Sequence, residues 1–251
     1  MDITIIGSGT AVPSVRRSSP CILVRTRSNT IVCDLGPGSL RQLIKAGVSI
    51  SDIDILIYSH LHIDHTADFT PFLFCANYNP DAPRMKDLLI LGPPGFRTFY
   101  DGLCNVYGHW IMPHRFTMTI REIQNSPITE AGFLFKSVSV EHTESSIAIR
   151  IEDSEGKTIG YSGDTGYCQG IIDLATGTDL LILECSFPDD RPCSGHLTPT
   201  LAARIARESG CRRLILTHFY PACDAYDIQA IVQNVFPGEV IIAEDFYTIS
   251  I

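Results

Sequence analysis

The chain has 251 residues, enough for one substantial core or two small ones. Its 45% hydrophobic and 19% charged residues are those of an ordinary globular protein and exclude intrinsic disorder. A net charge of −9 argues against general binding to a phosphate backbone, and no apolar run reaches the roughly 18–20 residues that span a bilayer.

Short β-branched or leucine-rich runs predict strands at Ile3–Ile6, Cys21–Arg25, Ile31–Cys33, Ile55–Tyr58 and Leu88–Leu91, then at Phe133–Val140, Ile147–Ile151, Thr158–Tyr161, Leu180–Leu183, Leu214–Thr217 and Val240–Ile242. The first of these has no basic segment or cleavage pattern before it, so no signal peptide is expected. Helical spacing appears at Leu40–Ala46, Thr66–Ala76, Phe96–Val106, Tyr167–Ala175, Pro199–Ser209 and Ala225–Val235. Among these, the Pro199 helix has Thr198 at its N-cap position, proline at its first position and Gly210 after its last turn. The pattern predicts an α/β protein whose sheets are covered by helices. No repeat, linker or low-complexity stretch divides it, so residues 1–251 are expected to form a single domain. The nine cysteines are dispersed without a C-x-x-C pair, which points to reduced, mostly buried thiols in a cytoplasmic protein.

Six of the eight histidines fall into one pattern. His60-Leu61-His62-Ile63-Asp64-His65 is an H-x-H-x-D-H motif, and His142, Asp164, His196 and His218 follow it. His60, His142, Asp164 and His218 each come just after an apolar run, so four strands deliver a polar ligand to the same sheet end. Gly163 permits a tight turn before Asp164. These residue types suit two divalent ions. His60, His62 and His142 are expected on one, Asp64, His65 and His218 on the other, and Asp164 bridging both. Imidazole and carboxylate donors suit Zn2+, with Mn2+ or Fe as alternatives. Two such ions, two carboxylates and a hydroxide leave about one positive charge, which favours an anionic phosphodiester substrate. Glu184 follows the run Leu180–Leu183, and His196 lies two residues before Thr198. A carboxylate holding an imidazolium is a competent general acid, so Glu184 and His196 join Asp64 as expected catalytic residues.

These segments resemble the metallo-β-lactamase superfamily, and within it the ribonuclease Z-like phosphodiesterases. The likeness rests on His60–His65, His142, Ser162-Gly163-Asp164-Thr165 and His218. It extends to Gly7–Ser14, Gly92-Pro93-Pro94-Gly95, Glu184-Cys185-Ser186-Phe187 and His196-Leu197-Thr198. The resemblance implies an αββα sandwich of two mixed sheets flanked by helices, with metals at one edge. It also implies a two-zinc hydrolase that uses a metal-bridging hydroxide and a Glu–His acid on RNA ends or small phosphodiesters, and a homodimer. Two departures stand out. Only 22 positions separate His142 from Asp164, filled by a hairpin turning at Asp153-Ser154-Glu155-Gly156, where ribonuclease Z carries its tRNA-gripping arm. The family's D-x-G-E-G motif reads Asp34-Leu35-Gly36-Pro37-Gly38 and loses its glutamate. Precursor tRNA is therefore expected to be a poor substrate. A lactonase or thioesterase on the same ligands, or a non-catalytic metal-binding member, are the competing functions. Arg16-Arg17, Arg212-Arg213, His109 and His114 read as solvated surface. Phe69, Phe72, Phe74 and Tyr78 read as core, and Tyr161 and Tyr220 as packing beside the site.

Overall fold

The computed structural model describes residues 1–251 and contains two seven-stranded sheets. The first is built from β1 (Asp2–Gly7), β2 (Cys21–Arg25), β3 (Thr30–Cys33), β4 (Ile55–Ile57), β5 (Leu88–Gly92) and β6 (Met118–Glu122). The second holds β7 (Ile128–Glu130), β8 (Phe133–Ser139), β9 (Ile147–Glu152), β10 (Thr158–Tyr161), β11 (Leu180–Glu184), β12 (Arg213–Thr217) and β13 (Glu239–Ile242). The last strand, β14 (Tyr247–Ser250), returns to the first sheet and pairs antiparallel with β1, from Asp2 opposite Ser250 to Ile5 opposite Tyr247. Each sheet is mixed. Strands β3 to β6 run parallel in one, and β10 to β13 in the other.

Alternation along the strands explains the layering. In β2, Ile22 and Val24 face the partner sheet while Cys21 and Leu23 face outward, and all four are buried. In β11, Leu180 and Ile182 point inward and Leu181 and Leu183 outward. Strands buried on both faces read as continuous apolar runs, which is why they were visible in the sequence. The first sheet's outer face is covered by α1 (Ser39–Lys45), α3 (Phe69–Tyr78) and α4 (Phe96–Tyr107) through Leu43, Phe69, Phe72, Leu73 and Phe96. The second is covered by α5 (Gln169–Ala175), α6 (Pro199–Ser209) and α7 (Ile228–Gln233) through Ile171, Ala202, Ile205, Ile228 and Val232. The architecture is the αββα sandwich. Each fully buried Leu, Ile or Phe in these layers contributes about 1.5–3 kcal/mol of hydrophobic stabilisation.

Several elements differ from the expectation. The predicted helix Thr66–Ala76 divides into α2 (Ile63–Thr66) and α3. Between them Asp68 turns its carboxylate onto the N–H groups of Gly38 and Leu40 at the start of α1. Helix α7 is shorter than Ala225–Val235 because Pro221–Ala225 forms a 3-10 turn before it. Thr198 occupies the N-cap position of α6, but its side chain makes no capping bond. Asp189 does so instead, accepting from the Thr200 N–H at 3.1 Å. Hairpin β9–β10 fills the interval between His142 and Asp164, turning at residues 153–157.

Candidate metal centre

The polar residues converge at the carboxyl ends of the parallel strands. Strand β4 leads through Tyr58 and Ser59 into His60, and α2 presents Asp64 and His65. Strand β8 leads to His142, β10 to Asp164, and β12 to His218, while β11 ends on Glu184. Gly163 adopts φ +56°, and a side chain there would meet Ser59 Cβ at 2.4 Å. His218 holds φ +59° without being glycine, a conformation that costs free energy and recurs at functional sites.

Asp164 sits between two sets of imidazoles. Its Oδ1 lies 3.3 Å from His65 Nε2 and 3.3 Å from His218 Nε2. Its Oδ2 lies 3.7 Å from both His60 Nε2 and His142 Nε2. His62 Nδ1 approaches His142 Nε2 at 3.0 Å, and Asp64 Oδ2 is 3.6 Å from His218 Nε2. Donors bound at about 2.0–2.1 Å in a tetrahedral shell stand roughly 3.3 Å apart, close to these separations. One set is His60, His62, His142 and Asp164; the other is Asp64, His65 and His218. His60 Nε2 and Asp164 Oδ1 are buried without a hydrogen-bond partner. Orphaned polar atoms of this kind are costly, and divalent cations held by these donors would satisfy them.

The other ring nitrogens are tied down, which fixes the tautomers. Ser59 Oγ donates to Asp34 at 2.8 Å, so it accepts the His60 Nδ1–H at 3.0 Å. Asp34 also accepts from His65 Nδ1 at 2.8 Å and from the Tyr161 hydroxyl at 2.6 Å. His142 Nδ1 donates to the Gly195 carbonyl at 2.9 Å. His218 Nδ1 donates at 2.9 Å to Ser186 Oγ, whose own proton goes to Glu184. Four imidazoles thus turn Nε2 toward the centre, while the solvent-exposed His62 offers Nδ1.

Electrostatics follow the packing. Burial first, and the neighbouring His65 second, push His60 well below the usual histidine range. Burial opposes charge on Asp164 too, but His218, His65 and His60 outweigh it and hold the carboxyl well below its usual value. For His65, burial is overcome by Asp164 and Asp34, which raise it well above the ordinary range.

Glu184 and His196 stand beside this cluster. Glu184 is buried and accepts from the Thr165, Ser186 and Leu197 N–H groups at 2.9, 3.2 and 3.1 Å. It also accepts from His196 Nδ1 at 2.8 Å. Burial works against charge on His196, yet the hydrogen bond and charge of Glu184 raise its pKa above the ordinary value. Asp164, His196 and His218 bring polar atoms within 4.8 Å of one another, so the imidazole borders the donors that could hold a metal.

All nine expected site residues therefore meet in one place. The sequence reading missed those that support them: Asp34, Ser59, Ser186 and the Gly195 carbonyl. Tyr161 is more than packing, because its hydroxyl bonds Asp34. Phe69 and Phe72 are buried as expected, but Phe74 and Tyr78 are exposed. His109 and His114 are exposed, as expected.

Comparison with known proteins agrees with this geometry. The model of the β-lactamase superfamily domain matches residues 29–219. The chain is 29% identical to ribonuclease Z of Mycolicibacterium gilvum, over all of this chain and 96% of that one. Among solved structures it resembles the metallo-β-lactamase fold protein YhfI from Bacillus subtilis, with a TM-score of 0.84 and 26% identity over 99% of this chain and 98% of the other. It also resembles the short form of human tRNase Z, with a TM-score of 0.80 and 26% identity over 100% and 99% of the two chains. The chain belongs to the metallo-β-lactamase superfamily, in its ribonuclease Z-like branch. It is a metal-dependent hydrolase.

Proposed function

We propose that the protein is a two-metal phosphodiesterase that cleaves RNA ends or small phosphodiesters. His60, His62 and His142 would hold one ion, Asp64, His65 and His218 the other, with Asp164 shared. Zn2+ is the first candidate for this donor set, with Mn2+ or Fe as alternatives. When bound, the ions supply Lewis acidity and activate the attacking water. Asp64, anchored by the Ala11 N–H at 3.0 Å, would add a carboxylate to that centre as ligand and as acceptor of the water's proton. His196 gives its Nε2 proton to the leaving oxygen as the P–O bond breaks, and Glu184 stabilises the imidazolium through Nδ1.

The single observation that carries this reading is the Glu184–His196 pair, a buried carboxylate 2.8 Å from a partly buried imidazole beside Asp164 and His218. An alkoxide leaving a phosphodiester needs a proton more than the thiolate of a thioester does, so the pair favours phosphodiester over thioester chemistry. It also argues against a non-catalytic role. His196→Ala tests it. Loss of a general acid typically costs about 10²–10⁴-fold, and a fall in that range is expected on an alkyl or nucleoside diester. A p-nitrophenyl ester, which leaves readily, should lose much less. Equal losses on both would remove His196 from this role and return weight to the lactonase reading.

The proposal extends to the molecule's setting. The whole chain acts as one domain in the reducing cytoplasm, in keeping with the burial of Cys21, Cys33, Cys185, Cys211 and Cys223. It acts as a homodimer. Phe74, Tyr78 and Trp110 form an exposed aromatic ridge with ring centroids 5.0–6.2 Å apart. With Tyr107 and Pro71 it flanks a groove of about 650 Å³. Apolar patches of this kind mark interaction sites, and a ridge beside a groove is self-complementary under a twofold axis.

A further inference from the structure

Phe187 and Tyr220 belong to none of the three apolar layers of the fold. Each is only partly buried. They follow β11 and β12 on adjacent loops and stack on each other, ring centroids 4.6 Å apart and planes 23° from parallel. Their remaining ring neighbours are site histidines. Phe187 meets His196 at 5.4 Å, and Tyr220 lies 6.4 Å from His196 and 6.2 Å from His218. Two large aromatic side chains thus leave the core and stack face to face beside the imidazole assigned as the acid, leaving the outer face of the stacked pair for a further ring.

The geometry points to a leaving-group subsite in which the Phe187–Tyr220 wall stacks the planar base of a nucleoside leaving alcohol. The inference rests on the phosphodiesterase reading and on His196 as the acid. The substituent on the oxygen that His196 protonates must lie near His196, within reach of the Phe187 ring 5.4 Å away and the Tyr220 ring stacked on it. A flat π-surface recognises the face of a base rather than its edge, so this subsite takes any nucleobase and not a branched aliphatic group. The step balances simply. Water adds to phosphorus and releases a proton through Asp64 to solvent, the P–O bond to the nucleoside breaks, the His196 proton ends on the released hydroxyl, and solvent restores the proton to His196.

Two diesters of one phosphoryl group test this, one releasing methanol and the other a nucleoside through its 5′-hydroxyl. Both are alcohols, so the demand for protonation is similar and the difference lies in the base. Base–aromatic stacking predicts a kcat/KM at least about tenfold higher for the nucleoside ester. In Phe187→Leu and Tyr220→Leu the ratio of the two values should fall about tenfold, whereas Phe187→Trp should keep it. A wild-type ratio near one, or variants that slow both esters equally, would overturn the inference and leave the rings as a prop for His196. If the wild type cleaved neither ester, the phosphodiesterase reading itself would have failed. Calorimetric binding of a nucleoside 5′-monophosphate decides the subsite independently of turnover. Binding should weaken about tenfold in Phe187→Leu, and equal affinity in the two proteins would overturn it.

Discussion

At the residue scale, the centre divides into donors and the groups that aim them, and only the donors were legible in the sequence. His60, His142, Asp164 and His218 were readable because each ends an apolar run, which betrays a strand. Asp34 also follows such a run, Ile31–Cys33, but its partners Ser59, His65 and Tyr161 are 25, 31 and 127 positions away. No local spacing announces a carboxylate that works through three distant partners. Its loss should still be felt at the metals. Changing a group that orients a ligating histidine typically costs about 10–100-fold in metal affinity, so Asp34→Asn should lower affinity by that order in a chelator competition. Asp164→Ala should release both ions because each oxygen faces a different set, whereas His218→Ala should mainly weaken the second. Elemental analysis of the variants checks the partition, and equal losses from Asp164→Ala and His218→Ala would undo it.

At the element scale, strands buried on both faces were found, whereas of the four edge strands only β13, predicted as Val240–Ile242, was found. β6, β7 and β14 are all edge strands, and together they bury only Ile120. An edge strand packs little, so it carries neither a continuous apolar run nor a clear alternation. The split between α2 and α3 was equally hidden, because it depends on Asp68 reaching the start of α1, a tertiary contact. The turn after β10 shows how tightly an element can be tied to the site. Gly163 combines a positive φ with contact to Ser59, and Ser59 in turn holds both His60 and Asp34. Gly163→Ala should therefore destabilise the fold by about 1–3 kcal/mol, the usual cost of a residue forced into a disfavoured backbone region. Thermal unfolding should show the drop in Tm, and metal retention should fall with it. A variant as stable as the parent and fully loaded would mean that Ser59 moves aside freely.

At the scale of the whole molecule, the overall charge and the surface bear on what the site can be offered. The homodimer is expected to sediment as such at micromolar concentration, and Trp110→Lys should shift it toward monomer by placing charge in the aromatic ridge. A parent that sediments as a monomer would dismiss the dimer. The fate of a large RNA depends on the rest of the surface. Of the basic pairs, expected to be solvated, Arg16 and Arg212 are exposed as expected, Arg213 is half-buried and Arg17 is buried, and each also has a partner within the protein. Arg16 bridges Asp224 and Glu244, and Arg17 is buried against Ser8 and the Ala243 carbonyl. Arg212 pairs with Asp179, and Arg213 reaches the Ser250 carbonyl. These few arginines are each matched by a nearby acid or carbonyl and form no basic tract, and the molecule carries a net charge of −9. The interval between His142 and Asp164 holds only the β9–β10 hairpin, so no protruding arm rises there to grip a tRNA body. Remote contacts raise kcat/KM tenfold for each 1.4 kcal/mol or so of binding they add in the transition state, and here little is available to add. At about 0.15 M salt, where surface charges are screened within roughly 8 Å, precursor tRNA should be cleaved no better than a dinucleotide bearing the same scissile bond. Comparison of the two kcat/KM values in one preparation measures this directly. A preference for the tRNA of about a hundredfold would require some 2.7 kcal/mol of contacts outside the centre, and a search for the surface supplying them would have to begin again.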